Sequence, residues 1–239
     1  MSTPQPVVHF LCAGAAQGLV KALEGPFAAR TGARLEGRFG AVGAMKEALL
    51  GGEPCDVMVV TEAMIDALAT GHLVGASKAA LGRVRTGIAV RSGEAPPAVG
   101  TPEGLRAALL AADRIYFPDA ERATAGIHFA AVLRQLGLHD RLSPRFATFP
   151  NGATAMRELA GSTDASPIGC TQITEILYTA GVQLAGALPR QFELATVYAA
   201  ALTARATDAG LAARFVEELA GATSAELRRA GGFELDSVR

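Results

Sequence analysis

Tryptophan is absent from the 239-residue chain, aromatic residues make up 5% of it and charged residues 19%. Neither sign of charge prevails: 22 Lys and Arg stand against 23 Asp and Glu, a formal net charge of -1. A balance so near neutrality excludes a general nucleic-acid binder and a polybasic membrane-surface protein. There are three cysteines, Cys12, Cys55 and Cys170, far apart in sequence. An odd count without CxxC or Cys/His ligand spacing implies neither a disulfide framework nor a metal site, and buried free thiols are expected. No apolar run reaches the ~18 residues that span a bilayer. The N-terminal residues carry no basic segment, and the apolar stretch from Val7 to Ala13 is too short for a secretory leader. The expected location is therefore the cytoplasm, or the periplasm if a leader was trimmed. Neither GxSxG, Walker A, HExxH nor a dinucleotide fingerprint occurs, and GAVGAMKE at Gly40 to Glu47 lacks the third glycine and the later acidic partner.

What is present is a hydrophobic fraction of 50% in a small-residue composition. That suffices for a sizeable core and excludes disorder. Short apolar runs alternate with helical stretches. Val7 to Cys12 reads as a strand, Gly14 to Ala29 as a helix, and Leu35 to Phe39 as a strand. Val42 to Leu50 reads as a helix closed by Gly51-Gly52, Cys55 to Val60 as a strand, and Glu62 to Ala69 as a helix. Further strands are expected at Arg83 to Val90, Arg114 to Phe117, Phe146 to Phe149, Ile168 to Gln172, Val182 to Ala185 and within Phe192 to Leu202. Intervening helices follow Thr101, Thr124, Gly152 and Gln172, and two more close the chain. This alternation predicts an α/β fold with largely parallel sheets. Two α/β lobes are expected, residues 1–84 with 196–239 and residues 85–195. Crossings near 83–90 and 193–199 would act as hinges beside a ligand cleft.

The chemistry is expected in the turns that open helices after strands. These are Ala13 to Ala16, Gly40 to Ala44, Thr61-Glu62, Arg122 to Gly126 and Asn151 to Thr154. A helix start carries unpaired N–H groups and about half a positive charge, and small residues let an anion approach it. In any one turn the same small residues equally serve the chain reversal, so the set carries the reading. Candidate ligand contacts are Gly14, Ala15, Val42, Gly43, Thr61, Arg122, Thr124, Gly152, Thr171 and Gln172, with Thr174 and Lys46 nearby. Arg122 is suited to a bidentate carboxylate pair or to a solvated loop. His128 and Glu62 are the candidate proton carriers; the alternatives are a packing histidine and a helix-start carboxylate favoured by the dipole. No metal or cofactor is called for.

Several segments carry a resemblance to a known family: VHFLCAGA from Val8, FAARTGA from Phe27, FGAVGAMKE from Phe39, GEPCDV from Gly52 and IGCTQITEI from Ile168. Together they resemble the molybdate-binding-protein-like branch of the type II periplasmic binding proteins. The resemblance implies two Rossmann-like lobes with an anion between them. In oxyanion-binding members, hydroxyl residues in the first two loops and a Tyr after the late strand contact the anion. Those positions fall here on Gly14 or Ala15, Val42 or Gly43, and Gln172, none of which carries a hydroxyl. A carboxylate ligand is therefore favoured over molybdate or tungstate. The segment Gly169 to Glu175 is also similar to aconitate isomerase-like members, which implies a metal-free proton shift as the alternative. The reading placed first is a solute-binding-type protein for a small anion, with a transporter permease as partner if a leader was trimmed. An unsaturated carboxylate isomerase comes second. A ligand-sensing regulator module is disfavoured, because no DNA-binding helix-turn-helix segment is present.

Overall fold

The computed structural model describes residues 5–235. The chain forms two compact units, residues 1–83 with 196–239, and residues 84–195.

Unit 1 begins with β1 (Val7–Ala13), a 3-10 turn at Gly14–Ala16, α1 (Gln17–Thr31) and β2 (Arg34–Gly40). It continues through α2 (Val42–Leu50), β3 (Val57–Thr61), α3 (Glu62–Leu68) and the first residues of β4 (Ala79–Arg91). Unit 2 holds the rest of β4, then α4 (Pro102–Ala111), β5 (Arg114–Pro118), α5 (Thr124–Gln135), α6 (His139–Leu142) and β6 (Phe146–Phe149). Next come α7 (Gly152–Gly161), β7 (Pro167–Gln172), α8 (Ile173–Tyr178) and β8 (Val182–Ala187). The chain re-enters unit 1 through β9 (Ala195–Leu202) and ends with α9 (Ala209–Ala220) and α10 (Ala225–Ala230).

In unit 1, β1 pairs in parallel with β2 and β3, and β3 pairs antiparallel with β9. The run Val-Met-Val-Val of β3 is buried throughout. A strand covered on both faces has no reason to alternate, which is why this segment reads as unbroken apolar sequence. At the sheet edge, β2 is mostly exposed and correspondingly polar. The C-terminal helix α9 packs on α1, with Phe27 and Phe215 edge to face at 5.3 Å and Arg30 donating to Glu218 at 2.9 and 2.5 Å.

In unit 2, β5 pairs in parallel with β6 and β7, while β7 and β8 lie antiparallel to β4. Side chains alternate between two apolar clusters. Ile88, Ile115, Phe117, Ile168 and Cys170 join Leu105, Leu109, Phe129 and Leu133 on one face. Ala89 and Tyr116 join Met156, Leu159, Ile176 and Val182 on the other. Gly169 lets α7 approach that second face: a Cβ there would lie 2.6 Å from Met156 and 2.7 Å from Leu159.

Candidate functional site

Because β1, β2 and β3 run parallel, the turns after them leave one edge of the unit 1 sheet, with Ala13 beside Gly40 and Cys12 beside Val59. Gly14 and Ala15 form the first turn and are buried. Val42 and Gly43 open α2 behind Ala41. Neither turn has a side-chain cap. At the third, the Thr61 hydroxyl accepts from the Met64 amide at 3.3 Å and caps α3. Glu62 pairs with Lys78 at 3.2 Å, and Lys78 also holds Asp66 at 2.8 Å. Unit 1 thus gathers Gly14, Ala15, Val42, Gly43, Thr61 and Glu62 along one edge, with Lys46 exposed on α2.

The same argument applies in unit 2, where β5, β6 and β7 deliver α5, α7 and α8 at one edge. Arg122 is exposed, in a turn where Asp119 Oδ1 accepts the amides of Glu121 at 2.7 Å and Arg122 at 3.1 Å. Thr124 opens α5, whose N-cap Ala123 offers no side chain. The α5 start lies hard against the end of β5: a Cβ on Gly126 would come within 2.2 Å of the carbonyl oxygens of both Pro118 and Asp119. His128, one turn further, has Nε2 2.7 Å from the Phe192 carbonyl oxygen. That contact requires the Nε2–H form and gives His128 a structural partner.

The end of β7 carries buried polar groups. Thr86 of β4 stands opposite Gln172 of β7, so their side chains share a sheet face. Thr86 is 1% exposed, Gln172 2% and Thr174 4%. The hydroxyls of Thr86 and Thr174 have no hydrogen-bond partner. On the opposite face Thr171 is fully buried and donates to Glu175 Oε2 at 2.5 Å. Burial raises the Glu175 carboxyl above its usual range, against the pull of the Thr171 hydroxyl and the nearby backbone of Ala153, Gln172 and Gly152. Gly152, expected to face a ligand, lies close to this carboxyl: a Cβ on it would come 2.0 Å from Glu175 Oε2. Thr86 and the role of Glu175 are absent from the sequence reading. A lone Thr in the apolar run RVRTGIAV is the one signal for the first, and nothing local marks the second.

Among the described residues no group of three or more His, Cys, Asp or Glu is placed to hold a metal ion, and no helix is long and apolar enough to cross a membrane.

Residues 8–234 match the family model of the bacterial extracellular solute-binding proteins. The chain belongs to this family. Solved structures give the same fold. The periplasmic molybdate-binding protein of Azotobacter vinelandii superposes with a TM-score of 0.79 at 20% identity, over 96% of this chain and 100% of that one. The sulfate-binding protein SubI of Mycobacterium tuberculosis gives 0.72 at 16%, over 95% and 86%. PEB3 of Campylobacter jejuni, solved with L-phospholactate bound, gives 0.68 at 12%, over 96% and 100%. Among curated proteins no sequence relative is found. As a member of the solute-binding family, the chain accords with the resemblance read from its sequence. The family description is extracellular, which agrees with the periplasmic alternative and lends no support to the cytoplasmic expectation.

Proposed function

We propose that this solute-binding protein takes a small anion, a carboxylate in preference to molybdate, at the amide-bearing turns on the carboxyl edges of its sheets. The observation that carries the reading is the pair of buried hydroxyls, Thr86 and Thr174, left without partners around Gln172 at the end of β7. Each unmet buried hydroxyl costs about 1–3 kcal/mol, which an accepting ligand oxygen would recover. The preference for a carboxylate follows from unit 1. The turns at Gly14 and Val42 present no side-chain hydroxyl. A buried tetrahedral dianion asks for many donors, whereas a planar monoanionic carboxylate is matched by a few amides and an arginine such as Arg122. The L-phospholactate bound in PEB3 carries a carboxylate beside its phosphate. The family description supports a place outside the cytoplasm with a transporter permease as partner.

Thermal shift with succinate, citrate, trans-aconitate, sulfate and molybdate tests the reading, followed by calorimetric titration of any ligand that stabilises. At least one carboxylate should raise the melting temperature. Thr86→Val and Thr174→Val should each weaken it by about tenfold or more, the worth of one hydrogen bond to a charged group. Stabilisation by molybdate or sulfate alone would sink the carboxylate preference, and unchanged affinity in both valine variants would remove the β7 site. Deuterium incorporated into trans-aconitate in deuterated water would turn the reading toward the isomerase, with Glu62 and His128 as the first residues to replace.

A further inference from the structure

We propose that unit 1 carries a second ligand site, for a small monocarboxylate with an apolar body, in a cavity at the amino edge of its sheet. This site goes beyond the function proposed above, which uses the turns at the carboxyl edges, and does not rest on it.

The cavity holds about 320 Å³, within the range of small-molecule sites. All of its lining residues belong to unit 1. It lies where β1 and β3 begin and β9 ends, with His9 near the start of β1, Asp56 just before β3 and Thr203 just after β9. From His9 to Ala13 the extended strand covers about 13 Å. The cavity and the turns at Gly14 and Val42 therefore lie at opposite edges of one sheet.

The floor of the cavity is built from buried polar groups. Asp56 Oδ2 accepts the His9 amide at 2.7 Å and stands 3.3 Å from His9 Nδ1, while Oδ1 accepts the Thr207 amide at 2.7 Å. The segment after β9 is pinned on both sides of Arg205. The Thr203 amide donates to the Asp56 carbonyl and the Ala204 amide to the His72 carbonyl, each at 2.9 Å. The Thr203 hydroxyl donates to the Cys55 carbonyl at 2.6 Å. The backbone that carries Arg205 is thus fixed before a ligand arrives, which lowers the ordering cost of binding.

The charges select the ligand. Glu53 on the wall is paired with Arg38 at 3.2 Å, and both oxygens of Asp56 are taken as described. Arg205 and His72 also line the cavity, and their side chains have no hydrogen bond or ion pair to any described residue. The unanswered charge is therefore positive. A guanidinium is a planar fork of donors that fits a carboxylate through two parallel bonds. A dianion such as sulfate asks for more donors than one arginine and one histidine supply, and it would face two carboxylates. Leu49, Leu50 and Pro54 add apolar surface, with Leu50 48% exposed. An inorganic anion would leave that surface in water, whereas an organic body would cover it.

Amide NMR titration of the full chain with sodium hexanoate, sodium acetate and sodium sulfate at constant ionic strength tests this. Hexanoate should shift the amides of His9, Asp56, His72 and Thr203 to Thr207 saturably, with a Kd of roughly 1 mM or tighter. Acetate, with no body to cover Leu50, should bind at least about tenfold more weakly. Arg205→Gln should weaken hexanoate by about tenfold or more, and Arg205→Lys, which keeps the charge without the fork, by about threefold or more. Leu50→Ser should weaken hexanoate and leave acetate unchanged. Because Arg205 is exposed, both of its variants should keep the wild-type urea midpoint. The inference is overturned if hexanoate leaves these amides unmoved at ~20 mM, if sulfate matches it, or if Arg205→Gln binds hexanoate as the wild type does. Any shifts at Thr86, Gln172 and Thr174 report the carboxyl edge and should survive Arg205→Gln; their loss in that variant would overturn the separation of the two sites.

Discussion

Burial dominates the titration of several single side chains. It pushes the Cys55 thiol up to about 12 and raises the fully buried Cys12 and Cys170 well above the ordinary thiol value. These thiols are protonated and unreactive at neutral pH, as small apolar side chains would be. Burial also raises the Glu175 carboxyl above its usual range, against the Thr171 hydroxyl and three amides that pull it down. The sign of the linkage follows. The native state holds this proton more tightly than the unfolded chain, whose glutamate titrates near about 4.3. The stability Glu175 contributes is thus fully present below that value and is lost as pH rises through the raised native value. The unfolding free energy of the wild type relative to Glu175→Gln should therefore fall as pH rises from about 4.3 toward neutrality. Urea denaturation of both proteins at intervals across that range measures the difference; a flat difference would show that Glu175 titrates normally, and a rising one that its native value is lowered.

At the scale of an element, the decisive contact is the start of α5 against the end of β5. A Cβ on Gly126 would lie 2.2 Å from two carbonyl oxygens, and backbone cannot swing aside as a flexible side chain does. Gly126→Ala must displace the turn that carries Arg122 and Thr124, at a cost of about 1–3 kcal/mol. We expect a lower urea midpoint together with weaker binding of any carboxylate that stabilises the wild type. A lower midpoint with unchanged affinity would detach the α5 start from the ligand.

Elements whose signals are local were legible in the sequence. The α2 helix runs over Val42–Leu50 as its periodicity and the Gly51-Gly52 stop predict, and β3 shows itself as a β-branched run. The signals that fail are those whose cause is distant. The strand expected from Arg83 begins at Ala79, with Gly82 at φ 134° and Arg83 exchanging backbone hydrogen bonds with Glu234 near the other end of the chain. The run Phe192 to Leu202 is not one strand: Arg190–Phe192 form a 3-10 turn and β9 starts at Ala195. The expected helix at Gly14 begins as a separate 3-10 turn, and α6 lacks the length for a periodic pattern. At the candidate site, Gln172 after a strand is a readable signal. Glu175 lies against Gly152 at the start of α7, a neighbour that no spacing rule connects to it.

For the whole molecule, the two units differ in how the chain builds them. Unit 2 is one continuous segment, 84–195, with both apolar clusters made from its own residues. Unit 1 needs both ends of the chain. Its buried central strand β3 is paired on one side by β9, from Val57 opposite Leu202 to Thr61 opposite Tyr198. Asp56, 3% exposed, accepts the amides of His9 and Thr207, each at 2.7 Å, and so joins the start of β1 to the segment after β9. Arg228 of α10 donates to the carbonyls of Leu81, Ala220 and Gly221 at 2.7–2.8 Å, closing the end of α9 onto β4. A chain stopped at residue 83 loses β9, the Thr207 amide and Arg228, and exposes one edge of its most apolar strand. Residues 84–195 expressed alone should therefore unfold cooperatively in urea, with a slope of about 1–2 kcal/mol per molar and well-dispersed amide signals. Residues 1–83 alone should show no cooperative transition and should aggregate through β3. A structureless 84–195 fragment would mean that unit 2 draws its stability from the rest of the chain, and a folded 1–83 fragment would mean that β9 and the two C-terminal helices are dispensable to unit 1.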